Sequence, residues 1–154
     1  MQLRPMGASG LRVSPICLGT MMFGDRADEA AAQRIVDAAR DAGVNFIDTA
    51  DVYVRGVSET ITGKLIKGHR QHWVLATKAG QNFDPDDPNQ TGLTRRWLMH
   101  SVDTSLSRLG TDYIDIYYLH REDLATSLDE TVRAVGDMIK AGKIRYFGLS
   151  NFRA

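Results

Sequence analysis

Apolar positions along the chain follow two alternating rhythms. Short runs rich in aliphatic, β-branched and aromatic residues fall at Ile16 to Met21, Val44 to Asp48, Trp73 to Lys78, Tyr113 to His120 and Ile144 to Ser150, and runs of this kind predict strands covered on both faces. Between them the apolar residues return at every third or fourth position: Ala31, Ile35, Ala38 and Ala39; Ile61, Leu65 and Ile66; Leu98, Val102, Leu106 and Leu109; Leu128, Val132, Val135 and Ile139. That spacing predicts four amphipathic helices. Ser58, Thr94 and Ser127 stand where helix N-caps belong, Ser127 with Glu130 three residues later, while Gly43, Gly68, Gly110 and Gly142 stand where helices should stop. Ahead of the first run, Leu11 and Val13 alternate with Arg12 and Ser14 after Gly7-Ala8-Ser9-Gly10, so residues 1–15 predict a hairpin.

Five strands separated by four helices make an α/β chain, read as one domain over residues 1–154. Successive strand starts lie 28, 29, 40 and 31 residues apart, a mean of 32 per βα unit. Eight such units would need roughly 256 residues, close to the about 250 of a parallel (β/α)8 barrel, whereas an open doubly wound sheet can stop at five or six strands. The familiar phosphate loops are absent. No G-x-G-x-x-G turn follows a strand, and Gly19-Thr-Met-Met-Phe-Gly24 continues with Asp25, which breaks a P-loop.

Composition narrows the function classes. The 19 Lys and Arg balance 19 Asp and Glu, which gives no basic footprint for nucleic acid or an anionic membrane. Cys17 is the only cysteine, so an internal disulfide is excluded and a reducing, cytoplasmic setting is expected. No window approaches the roughly 20 apolar residues of a membrane span. His69 and His72 are three apart but lack a third ligand at suitable spacing, and no metal site is expected. His100 belongs on the polar side of its helix, and Met21, Met22 and Phe23 either join the core or wall an apolar pocket.

The chemistry-bearing residues collect at strand C-termini, where both α/β architectures build their sites. Asp48 ends the second strand, Lys78 the third, His120 the fourth, and Ser150 and Asn151 the fifth; Tyr53 follows Asp48 by five residues. A phenol of ordinary pKa about 10 needs a nearby cation to act as an acid near neutrality. Lys78 can supply that cation, Asp48 can hold it, and His120 can bond a carbonyl oxygen as negative charge grows there. The set predicts carbonyl reduction with Tyr53 as the proton donor. Each residue alone has a plainer reading as a cap or as packing, but Lys78 and His120 end strands that helices must cover, where an unpaired cation is costly.

These residues lie in stretches that resemble the aldo-keto reductase family: Leu18-Gly-Thr20, Asn45-Phe-Ile-Asp-Thr-Ala50 with Tyr53, Gly56-Val-Ser-Glu59, Ala76-Thr-Lys78, Tyr113 to His120, Gly142-Lys-Ile-Arg145 and Gly148-Leu-Ser-Asn-Phe152. The resemblance runs from Leu11 to Phe152. It implies a (β/α)8 TIM barrel whose bottom is closed by an N-terminal hairpin, with about five of the eight units present in this chain. It also implies Asp48, Tyr53, Lys78 and His120 as the catalytic tetrad, and Gly19, Thr20, Met21, Asp48, Ser150 and Asn151 as cofactor contacts. The implied cofactor is a nicotinamide dinucleotide, NADP(H) ahead of NAD(H), and the implied substrate is a small aldehyde or ketone. Lys143 to Tyr146 and the helix around Thr94-Arg-Arg-Trp97 are most similar to the branch holding bacterial oxidoreductases and potassium-channel β subunits.

In the family, the later strands grip the cofactor's phosphates. The resemblance therefore reads the chain as truncated, with weak cofactor binding of its own and open sheet edges that favour self-association. The alternatives are a non-catalytic nucleotide-binding regulatory subunit of the same fold, or an inactive fragment.

Overall fold

The computed structural model describes residues 1–81, 83–84 and 86–153; Ala154, the expected end of the domain, lies outside them. Strands β1 (Arg4–Pro5) and β2 (Arg12–Val13) pair antiparallel as the expected hairpin. The next five strands, β3 (Leu18–Gly19), β4 (Phe46–Asp48), β5 (Val74–Ala79), β6 (Ile114–Leu119) and β7 (Ile144–Leu149), form a parallel sheet in strict sequence order. An open doubly wound sheet would reverse its strand order at a switch point. Here the order never reverses, and the sheet is a run of consecutive barrel strands.

Four helices connect them: α1 (Glu29–Asp41), α2 (Val57–Ile66), α3 (Arg95–Leu109) and α4 (Leu128–Lys140). They pack on one face of the sheet, Val36 of α1, Ile66 of α2, Val102 of α3 and Met138 of α4 meeting Ile47, Leu75 and Tyr117, whereas Ile35, Leu128, Val132 and Ile139 of the expected stripes are exposed because α1 and α4 are turned to bury Ala32 and Ala134 instead. The opposite, concave face carries Phe46, Val74, Ala76, Ile116 and Tyr118, closed from below by Leu11 and Val13 of the hairpin. Register follows from this two-sided burial. Asp48 pairs with Ala76, and Lys78 with Tyr118, so alternate residues of neighbouring strands reach the same face and the same rim.

Local signals differ from expectation in four places. Strand β3 covers two residues rather than six, because Ile16 and Cys17 are exposed and the chain turns at Thr20. Ser58 does not cap α2: that helix starts one residue earlier, after Gly56, and the Ser58 hydroxyl is buried within the sheet–helix layer. Ser127 occupies the N-cap of α4 without a side-chain bond, and Glu130 instead accepts from the Arg95 N–H at 2.8 Å, so no capping box forms. Gly68 does not end a helix in left-handed geometry; α2 runs on into a 3-10 turn over Lys67–His72. Thr94 does cap α3, accepting from the Trp97 N–H at 3.2 Å. Asp28, unforeseen, caps α1 through the Ala31 N–H.

Candidate active site

Three strand ends and one turn bring the polar residues together. Asp48 is the last residue of β4, Lys78 the penultimate residue of β5, and His120 directly follows β6. The Lys78 ammonium pairs with the Asp48 carboxylate, donates to the Thr49 carbonyl at 2.8 Å, and donates to the Tyr53 hydroxyl at 3.3 Å. It also lies 4.9 Å from the centre of the Tyr53 ring. The ring of His120 meets Tyr53 edge-on, with centroids 6.1 Å apart. All four members of the expected tetrad therefore share one rim of the sheet.

Tyr53 reaches this position through an unusual turn. Val54 and Arg55 have φ of 48° and 53°, and Gly56 continues at 89°. A β-branched residue such as Val54 is disfavoured there by roughly 1–3 kcal/mol. The surrounding contacts hold the turn. Ser58, at the start of α2, donates to the Thr20 carbonyl at 2.7 Å and shares hydrogen bonds with the hydroxyls of Thr20 and Thr49. This ties the loops after β3 and β4 to the helix that carries the turn.

Burial sets the electrostatics. Lys78 is 8 % exposed and His120 6 %. Burial, with the Lys78 charge adding to it, pushes the His120 imidazole down to about 4, so it is neutral at pH 7. Its Nδ1 is sealed without a partner among the described residues. Burial raises the Asp48 carboxyl above its ordinary range while the Lys78 ion pair pulls it back.

The expected cofactor contacts divide. Gly19 lies beside Asp48 in register, and a Cβ there would meet nothing within 4 Å, so open space adjoins it. Met21 is exposed. Thr20 is wholly buried, its hydroxyl bonded to the Asp48 carbonyl and Ser58, and what it contributes is a fixed loop. Ser150 and Asn151 follow β7. Asn151 sits at φ 56° and donates its side-chain amide to the His120 carbonyl at 2.8 Å. Of the three residues after Gly19-Thr20, Met21 and Met22 face outward while Phe23 enters the core. His69 and His72 lie in an exposed turn, and no group of three or more metal-ligand side chains exists among the described residues. His100 is exposed and stacks on Trp97 at 5.5 Å.

The sequence reading missed a buried network on the helix side of β5. Glu59 is 0 % exposed, accepting from Thr77 Oγ1 at 2.6 Å and from Arg108 Nη1 at 3.2 Å. Asp51 is 2 % exposed beside it. A Glu placed among the apolar positions of α2 was the available signal; its partner Arg108, 49 residues away, gave none.

A parallel sheet in strict strand order carries an acid, an ammonium, a phenol and an imidazole at its C-terminal rim, and comparison with known proteins supplies the family. The chain belongs to the aldo/keto reductase family, whose model matches residues 15–154. It is 42% identical over 162 residues to an uncharacterized oxidoreductase, YrpG, of Bacillus subtilis, covering 99% of this chain and 50% of that protein. It is 40% identical over 161 residues to a probable voltage-gated potassium channel subunit beta of Oryza sativa, covering 100% and 48% respectively. Among solved structures it resembles the holo form of the aldo-keto reductase AKR11C1 from Bacillus halodurans, with a TM-score of 0.90 and 40% identity over 99% of this chain and 51% of that one. The chain spans about half the length of the relatives it matches, and its fold is five units of their barrel.

Proposed function

We propose that this chain carries the proton-transfer half of a carbonyl reductase: it delivers a proton to the oxygen of an aldehyde or ketone as hydride arrives at the carbon. The observation that carries this reading is the position of the Lys78 ammonium, paired with Asp48 and 3.3 Å from the Tyr53 hydroxyl. A cation beside a phenol favours loss of its proton, and the Asp48 ion pair keeps that cation in place. Tyr53 is the proton donor in this scheme. His120 is neutral because of its burial and so carries a single N–H; with Nδ1 sealed, Nε2 is the nitrogen that bears it toward the substrate oxygen in this scheme. That bond strengthens as charge develops, which is where a donor assists catalysis most.

A reduced nicotinamide supplies the hydride when bound. The open space beside Gly19, the Ser150 hydroxyl and the free side-chain oxygen of Asn151 suit a carboxamide group, and we assign them to that end of NADP(H). No residue of this chain is assigned to the phosphate end, and with the chain spanning about half the length of the relatives it matches, weak binding by the chain alone is proposed. In this reading, residues 1–154 act as one domain in the cytoplasm. The two sheet edges, β3 and β7, invite self-association. Among the described residues, no helix is long and apolar enough to cross a membrane.

The test is Tyr53→Phe in the chain completed with the second half of YrpG, assayed with NADPH against a panel of aldehydes and ketones. Removing a general acid is expected to lower kcat by roughly 10²- to 10⁴-fold with KM little changed. Carbonyl reduction at an undiminished rate would overturn the assignment.

A further inference from the structure

Behind β5, on the side away from the substrate rim, lies a set of ionisable groups that the proton transfer above does not use. Both oxygens of the fully buried Glu59 are engaged, by Thr77 and by Arg108. Arg108 reaches them across Gly56, where a Cβ would lie 2.4 Å from the guanidinium carbon. Toward Asp51 the same guanidinium offers only a 3.5 Å contact to the main-chain carbonyl. The two carboxyl oxygens of Asp51 are themselves sealed without a partner among the described residues. Two buried carboxyls thus face one guanidinium, and that guanidinium is bonded to the other one.

An unpaired carboxylate in such a place is strongly disfavoured, and the group keeps its proton instead. Burial first, and then the Glu59 charge, push Asp51 up to about 8. The groups facing it are Glu59 from α2, Arg108 from α3, Lys78 from β5 and the buried Tyr117 from β6. A cavity of about 40 Å³ bordered by Asp51, Trp97, Ser101, His100 and Arg108 has room for a water molecule to carry the proton away.

Asp51 is also wired to the site. Its N–H donates to the Lys78 carbonyl at 3.0 Å, and Tyr53 follows two residues later on the same strained turn. We propose that Asp51 is a proton-bearing positioning residue: while protonated it leaves the Lys78 ammonium to serve Asp48 and Tyr53, and when ionised it places a second negative charge behind Lys78 that draws the ammonium away from the Tyr53 hydroxyl.

The inference rests on Tyr53 as the proton donor, but its test requires no turnover. The 154-residue chain, with ¹³C-labelled Asp carboxyl and Tyr Cζ carbons, is titrated by NMR, with Asp51→Asn and Tyr53→Phe providing the assignments. One Asp carbon is expected to titrate near pH 8 and to vanish in Asp51→Asn, and the Tyr53 Cζ resonance is expected to move with that same midpoint in the wild type and not in the variant. An Asp51 already ionised at pH 6, or a Tyr53 Cζ resonance that does not follow it, overturns the proposal. If Asp51→Asn does not fold, Glu59→Gln decides: it releases Arg108 to Asp51 and should lower the Asp51 midpoint by a unit or more, and an unchanged midpoint is the overturning result. Carbonyl reduction surviving Tyr53→Phe would defeat the donor assignment alone and leave the Asp51 to Tyr53 coupling as measured.

Discussion

Asn151 holds His120 from behind: its side-chain amide donates to the His120 carbonyl at 2.8 Å, from a backbone whose φ of 56° turns the chain back over the end of β6. One residue thus connects the end of β7 to the main chain of His120, and it does so with the nitrogen of its amide, leaving the side-chain oxygen without a partner among the described residues. Asn151→Asp removes the donor and sets a carboxylate oxygen against a carbonyl. A loss of about 1–3 kcal/mol in nicotinamide binding is expected, read as a roughly 5- to 150-fold rise in the Kd for NADPH in the completed chimera.

Lys78→Met keeps the length and apolar stem of the side chain but removes the charge that Asp48 and Tyr53 share. Catalysis should fall by roughly 10²-fold or more, and the Asp48 carboxyl, already raised by burial, should rise further. Steady-state kinetics give the first effect, and a carboxyl titration the second.

Stability should depend on pH in two opposed ways. His120 titrates at about 4 in the fold against an ordinary value near 6.5, so between those values the unfolded chain binds more protons and stability is lost as pH falls. Asp51 is the reverse case: held at about 8, it binds its proton in the fold while the unfolded carboxyl is ionised, so its contribution declines as pH rises from about 4 to 8. Urea unfolding across pH 5–9 should therefore show Asp51→Asn gaining on the wild type as pH rises. Parallel curves for the two proteins would contradict this.

Ser58→Ala should cost about 1–3 kcal/mol, because the hydroxyl satisfies the Thr20 carbonyl and two buried threonine hydroxyls. The loss is read from the urea midpoint.

Gly63→Ala tests the contact between α2 and α3. A Cβ at Gly63 would lie 2.3 Å from the Leu109 carbonyl oxygen, which is backbone and cannot rotate away. Separating the helices should cost about 3 kcal/mol, visible as a lower Tm by circular dichroism, whereas Gly136→Ala, with nothing within 4 Å, should leave Tm unchanged or raise it.

Much of this molecule is legible along the chain. Periods of apolar residues marked all five parallel strands and four helices, because burial on two faces demands continuous runs and burial on one demands a stripe. The strand ends then placed Asp48, Lys78 and His120 on one rim, since parallel strands in sequential βα units all finish on the same side. What only the tertiary structure decided depends on contacts between distant residues. The left-handed turn after Tyr53 is paid for by Ser58 reaching back 38 residues to Thr20, and Ser58 reads as a cap until that contact is known. The direction of the sheet's strand order, which separates a barrel from an open sheet, is a choice made by packing. Asp51, Glu59 and Arg108 are ordinary surface-type residues in the sequence; their enclosure, and with it the protonated Asp51 behind the site, arises only when α2 and α3 close over β5 and remove the water that would have solvated them.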